Sequence, residues 1–176
     1  MEELLTRYRK LIAEVAAAMA PLEARHRTRL RCAPGCAACC QAISLLAVEA
    51  EAVQKAFLAL PAATREAIRS RASQPGDHCP FLLADLCAIY PARPLICRTH
   101  GLAIGYVDEE REAIEVSACP RNFPDDFPLA LEDLLLLDST NERLAAINRR
   151  FCEALGRDAA IRVTMRETIA RGGDPD

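Results

Sequence analysis

The sequence predicts a mainly α fold with small β-hairpins, an α+β arrangement built around a cysteine cluster. Alanine, leucine, isoleucine and valine supply most of the apolar residues, aromatics are only 5% and tryptophan is absent. Such a composition favours an aliphatic helical core over a sandwich or barrel. Apolar stripes at helical spacing occupy both ends of the chain, and short segments punctuated by proline, glycine and cysteine lie between them. At 176 residues the chain can bury a real core without staples. We read residues 1–176 as a single domain, with a metal-stapled cysteine core over 32–120 and flanking helices over 3–20 and 129–170.

From the N-terminus, Leu4, Leu5, Tyr8, Leu11, Ile12, Val15 and Met19 form one stripe on a helix over residues 3–20. Pro21 is expected to kink or restart it. Arg25, His26, Arg27, Arg29 and Arg31 follow, as a solvated helix end or as counter-charge to an anionic site or acidic partner. Pro34-Gly35 breaks regular structure between the first two cysteines. Beyond it, a helical turn would place Cys36 over Cys39 and Cys40. Helices are then expected from Ala47 to Leu60 and from Pro61 to about Ser73, followed by a loop at Gln74–Asp77.

The middle of the chain reads as two hairpins separated by a brief helix. The first runs from Cys79 to Tyr90 and turns at Ala84-Asp85. The helix spans Leu95 to His100 and carries Cys97. The second hairpin pairs Leu102–Val107 with Ala113–Ser117 and delivers the chain to Cys119-Pro120. An extended connector at 123–128 leads to a short helix over Leu129–Leu137, then to a longer one from Thr140 to Leu155 that stops at Gly156. Asp158 would cap a last helix bearing Ile161, Met165 and Ile169. Residues 171–176 are expected to fray.

A net charge of −3 and a pI near 5.7 give no reason to expect a nucleic-acid partner. No run approaches the ~18 uninterrupted apolar residues of a membrane span. The alanine-rich start mimics an export signal, but Glu14 interrupts it and Pro21 follows the apparent cleavage site, so an amphipathic helix is the better reading. Clustered cysteines with Cys-x2-Cys spacing suit a reducing compartment, and a cytoplasmic protein is expected.

The chemistry to explain is that of sulfur. Cys32, Cys36, Cys39 and Cys40 fall within nine residues, and Cys79, Cys87, Cys97 and Cys119 follow downstream. Thiolates are soft ligands for zinc, copper(I) or iron–sulfur clusters, and four of them complete a tetrahedral site or hold one cluster. Eight thiols therefore permit two centres, or one centre and spare thiols. On a helix the side chains of Cys39 and Cys40 would diverge by about 100°, which favours service to different centres. Cys152, beside Phe151, reads as a small buried hydrophobe. His78 and His100 adjoin cysteines and could add ligands, although loop histidines are commonplace. Arg93 and Arg98 bracket Cys97, either to donate hydrogen bonds to thiolates or cluster sulfurs and so tune a potential, or to form ordinary ion pairs.

Taken together, Cys32-x3-Cys36-x2-Cys39-Cys40, Cys79-Pro80-Phe81-Leu82, the run from Cys87 through Tyr90-Pro91-Ala92-Arg93-Pro94 to Cys97-Arg98, and Cys119-Pro120 carry a resemblance. The chain resembles a bacterial family of cysteine-cluster chelating proteins, the CxxCxxCC or YkgJ-like proteins. One departure is Asp85-Leu86, where the family often shows glycine near the turn. The resemblance implies metal binding through these eight cysteines, with zinc, iron or an iron–sulfur cluster as the bound species. Similar cysteine-rich segments occur in flagellin lysine N-methylases, but no glycine-rich cofactor loop is present here, and no catalytic residue is assigned. The expected function is metal binding at one or two centres, for redox work or metal handling. The alternatives are a metal-dependent oxidoreductase or methyltransferase-like enzyme, and a structural zinc module that meets an acidic partner at residues 25–31.

Overall fold

A computed structural model describes residues 1–171; of the segment 171–176 expected to fray, Arg171 closes the last helix and residues 172–176 lie outside those described. Helix α1 (Glu2–Arg25) buries Leu5, Tyr8, Leu11, Ile12, Val15, Met19 and Leu22. Pro21 neither stops nor restarts it. An interior proline costs a helix ~3 kcal/mol, and here the last turn is held by buried Leu22 and by His26, whose Nε2 stands 3.1 Å from Asp133 Oδ1.

Helix α2 (Ala47–Leu58) is the central element because it contributes to two apolar clusters. Ala47 and Val48 face a cluster shared with α1 and with α5 (Asp138–Ala154). Val53 and Phe57 face a second cluster with Ile68 of α3 (Ala62–Ser73), with Phe81, and with Met165 and Ile169 of α6 (Met165–Arg171). Asn148 of α5 is 2% exposed and fastens the first cluster: its Oδ1 accepts the Val48 amide at 3.2 Å and its Nδ2 donates to the Ala159 carbonyl. Glu49 plays a similar part, as the carboxylate of N3 reaching back to its own helix start. It accepts the Leu46 amide at 3.3 Å and the Leu95 amide at 3.0 Å. The second bond fixes the start of α4 (Leu95–Thr99), the short helix that carries Cys97.

The strands are short. β1 (Ser44–Leu45) pairs antiparallel with β7 (Val163–Thr164), and β2 (Leu82–Leu83) pairs with β3 (Leu86–Cys87). The β2–β3 turn is made by Ala84 at φ 47° and Asp85 at φ 59°. Two left-handed residues in a two-residue loop match the right-handed twist of the strands. The hairpin thus forms without glycine at this turn. A third sheet has the order β5-β4-β6, with β4 (Ala103–Asp108) antiparallel to β5 (Ala113–Ser117) and parallel to β6 (Leu134–Leu136).

Two expected helices are corrected. Residues 129–137 form a 3-10 turn at Leu131–Asp133 and then β6. Gly105 explains the strand, since a Cβ there would stand 2.7 Å from Leu136 and 3.2 Å from Leu134; only glycine lets those leucines lie across β4. The final helix starts at Met165, not near Asp158. Asp158 closes a local turn onto the Ala160 amide, Ile161 is 62% exposed, and Val163 is drawn into pairing with Leu45. The true helix start is a capping box: Thr164 Oγ1 accepts the Glu167 amide at 3.1 Å, and Glu167 Oε2 accepts the Thr164 amide at 2.7 Å. The flanking region 129–170 is therefore a turn, a strand, α5, a second strand and α6. Among the described residues, no helix is long and apolar enough to cross a membrane.

Candidate metal site

The segment carrying the first four cysteines is not helical. Cys36 donates its amide to Ala33 at 2.9 Å and Cys40 donates to Ala37 at 2.9 Å, which makes two separate tight turns. The first contains Gly35 at φ 92°. The expected stacking of Cys36 over Cys39 and Cys40 on a helix gives way because the chain is wanted elsewhere. Beyond Cys40 it runs as a ladder beside residues 77–79: the Cys79 amide donates to the Cys40 carbonyl at 3.2 Å, Gln41 bridges His78, and the Ala42 amide donates to the Asp77 carbonyl at 2.6 Å.

This ladder joins Cys40 to the downstream cysteines. Cys79 is buried, and its Sγ lies 3.6 Å from Met165 Sδ. Cys40, Cys87 and Cys97 are partly buried against the same apolar cluster. Burial is the main cause that pushes these thiols upward, Cys79 to about 11 and Cys97 to about 12. Three of them would also feel neighbouring thiolates: Cys97 feels Cys79, Cys87 and Cys40, Cys79 feels Cys87 and Cys40, and Cys40 feels Cys87 and then Cys36, while a hydrogen bond with Cys39 pulls Cys40 down. Cys40, Cys79, Cys87 and Cys97 are therefore one inner neighbourhood.

Cys39 borders both groups, hydrogen-bonded to the Cys40 thiol and close to Cys32 and Cys36. Its thiol is raised by burial, then by Cys40, and then by Cys32 and Cys36. Cys32 and Cys39 are exposed and Cys36 is half-buried. The last cysteine reaches this outer group through its neighbours, since the two residues that follow Cys119-Pro120 touch its sulfurs. Arg121 places Nη1 3.8 Å from Cys36 Sγ, and Asn122 Nδ2 donates to Cys32 Sγ at 3.4 Å. Among the described residues, no three His, Cys, Asp or Glu side chains are placed so that they could already hold one metal ion. The donor chemistry is nonetheless uniform: both neighbourhoods present sulfur, which suits zinc, iron or copper(I) and not magnesium or calcium.

The remaining candidates fall into place around these groups. Arg93 donates Nη1 to the Cys97 carbonyl at 3.0 Å and stacks 3.7 Å over Tyr90. Arg98 donates to the Arg93 and Pro91 carbonyls. Both arginines thus staple the 90–98 turn through its carbonyls, and Arg93 also lends favourable charge to the Cys40, Cys87 and Cys97 thiols. Tyr90 is 60% exposed under Arg93. His78 Nε2 is buried without a hydrogen-bond partner, directly before Cys79. His100 is exposed. Cys152 is 1% exposed in the first apolar cluster.

The basic segment is tethered. Arg25 pairs with Glu132 at 3.4 Å and Asp133 at 3.5 Å, and Arg29 lies 4.0 Å over Phe127. His26 is 5% exposed between Phe123 and Asp133 instead of sharing the solvated surface of its basic neighbours. Sequence reasoning missed Arg121, Asn122 and Gly101 as parts of the site; for the first two, adjacency to Cys119-Pro120 was the available signal.

Clustered thiols on a mixed α+β scaffold are donors of the kind a zinc- or iron-chelating domain uses. Residues 31–120 match the model of the CxxCxxCC family, described as "Putative zinc- or iron-chelating domain", and the chain belongs to that family. No curated protein and no solved structure matches this chain.

Proposed function

We propose that the protein binds metal at two neighbouring four-thiolate centres, an outer one on Cys32, Cys36, Cys39 and Cys119 and an inner one on Cys40, Cys79, Cys87 and Cys97. The observation that carries this reading is how the contacts divide the two segments: Cys40 is laddered to Cys79, whose apolar cluster Cys87 and Cys97 adjoin, while Arg121 and Asn122 after Cys119 touch Cys36 and Cys32, and Cys39 meets Cys40 where the two sets join. Membership of a zinc- or iron-chelating family supports it. Bound iron or zinc would supply Lewis acidity or, as an iron–sulfur cluster, one-electron chemistry. The chain's own contribution is to hold the donors. Cys79 is buried in the cluster of Phe57, Phe81 and Met165, which Cys40, Cys87 and Cys97 adjoin while partly buried, whereas Cys32 and Cys39 of the outer set are exposed.

In this reading the whole chain is one cytoplasmic domain for redox work or metal handling. The grooves at the β4–β5 tip, near Tyr106 and Glu115, and between α1 and α5, near Leu4 and Arg143, contain none of the cysteines, so a substrate-processing enzyme gains no support from them. Anaerobic purification followed by metal and sulfide analysis and a visible spectrum tests the proposal. Iron with acid-labile sulfide and a brown colour identifies clusters, and colourless zinc protein identifies structural or transfer centres. A folded chain that retains and accepts neither metal rejects the proposal.

A further inference from the structure

Asn122 is polar and 2% exposed, and every side of its amide group is engaged. Oδ1 accepts the Arg31 amide at 2.8 Å, and Nδ2 donates to the Gly101 carbonyl at 2.6 Å and to Cys32 Sγ at 3.4 Å. The two backbone partners fix the orientation, because the Arg31 amide only donates and the Gly101 carbonyl only accepts. Cys32 Sγ is confined from a second direction as well. Gly101 has φ +111°, and a Cβ at that position would stand 2.6 Å from the sulfur. The thiol occupies space that a side chain at residue 101 would take.

We infer that Asn122 is the positioning residue of the outer centre, which fixes Cys32 Sγ between Gly101 and its own amide and supplies that sulfur with an N–H donor. The inference rests on the two-centre reading. Hydrogen bonds to a ligating sulfur orient it and tune the bound metal. Because the same side chain ties Arg31 to Gly101, it also joins the first cysteine segment to the turn after α4 and to the segment that follows Cys119. Asn122→Asp keeps the acceptor for Arg31 but replaces the donor with a carboxylate oxygen facing a carbonyl and a sulfur.

The test uses the full chain loaded with cadmium-113, a thiolate-seeking probe whose resonance reports its donors. The wild-type chain should give two thiolate resonances. Asn122→Asp should shift one of them and leave the other in place. Gly101→Ala, which presses on Cys32 from the other side, should shift the same one and carries the test should Asn122→Asp not fold. Two resonances that neither variant moves, or that both move together, overturn the inference. A single wild-type resonance rejects the two-centre reading instead: if Asn122→Asp still shifts it, the positioning role stands, and if not, both fall.

Discussion

The Cys79 amide donates to the Cys40 carbonyl at 3.2 Å, so the two cysteine segments are joined backbone to backbone before any metal binds. The chain leaves the Ala37–Cys40 turn and enters this ladder at Cys40, while Cys39 stays with the turn. The two adjacent thiols stay in contact, while the backbone between them passes from the turn that follows Cys36 to the ladder beside Cys79.

Separate substitution of the pair should therefore have separate effects. Cys39→Ser should cost the outer centre and Cys40→Ser the inner one, each leaving about half of the bound metal, as counted by native mass spectrometry. Loss of the same metal from both variants would contradict the division.

The two centres should also differ in how they release metal. Cys32 and Cys39 are exposed, whereas Cys79 is buried and Cys87 and Cys97 lie against the apolar cluster around Phe81. Zinc-loaded protein mixed with a coloured chelator should release its metal in two phases, the faster one absent in Cys39→Ser. A single phase that this variant leaves unchanged would speak against unequal centres.

Glu49 supplies a prediction about pH. Burial pushes its carboxyl above the ordinary 4.5, although the Leu95 and Leu46 amides pull it down and Arg162 adds a smaller favourable charge. The folded chain therefore holds this proton more tightly than the unfolded chain. Below the ordinary value both states are protonated and nothing is lost. As pH rises from there through the raised folded value, the unfolded state releases its proton first and stability falls, levelling off above. The stability of the wild-type chain relative to Glu49→Gln should decline across that window in urea titrations. A flat difference would show that Glu49 is not the group responsible.

Gly105 tests the sheet. Gly105→Val would press on Leu136, Ile114 and Leu134, all within 3.2 Å of the added Cβ. Overpacking of this kind typically costs about 1–3 kcal/mol. Chemical denaturation should show a loss of that size, and a loss near zero would mean that β6 does not depend on the gap.

Much of this was legible in the sequence. The stripe from Leu4 to Met19 predicted α1, and Val53 and Phe57 predicted the buried face of α2, because helical periodicity is local. The steric argument for Cys39 and Cys40 assumed a helix, whereas the chain forms a turn and a ladder there and the two thiols stay in contact. Four leucines at 134–137 read as a helix because nothing local reveals the vacant side of Gly105. Thr164-x-x-Glu167 was a capping box in plain view, outranked by the i, i+4, i+8 spacing of Ile161, Met165 and Ile169. Asn122 could not be assigned to Cys32 from spacing at all, since its role depends on a contact across 90 positions.

Native mass spectrometry of the anaerobically purified full chain tests the central claim most directly. The account predicts a polypeptide carrying two metal centres, with one lost in Cys39→Ser and the other lost in Cys40→Ser. A fully loaded chain that carries a single centre would contradict it.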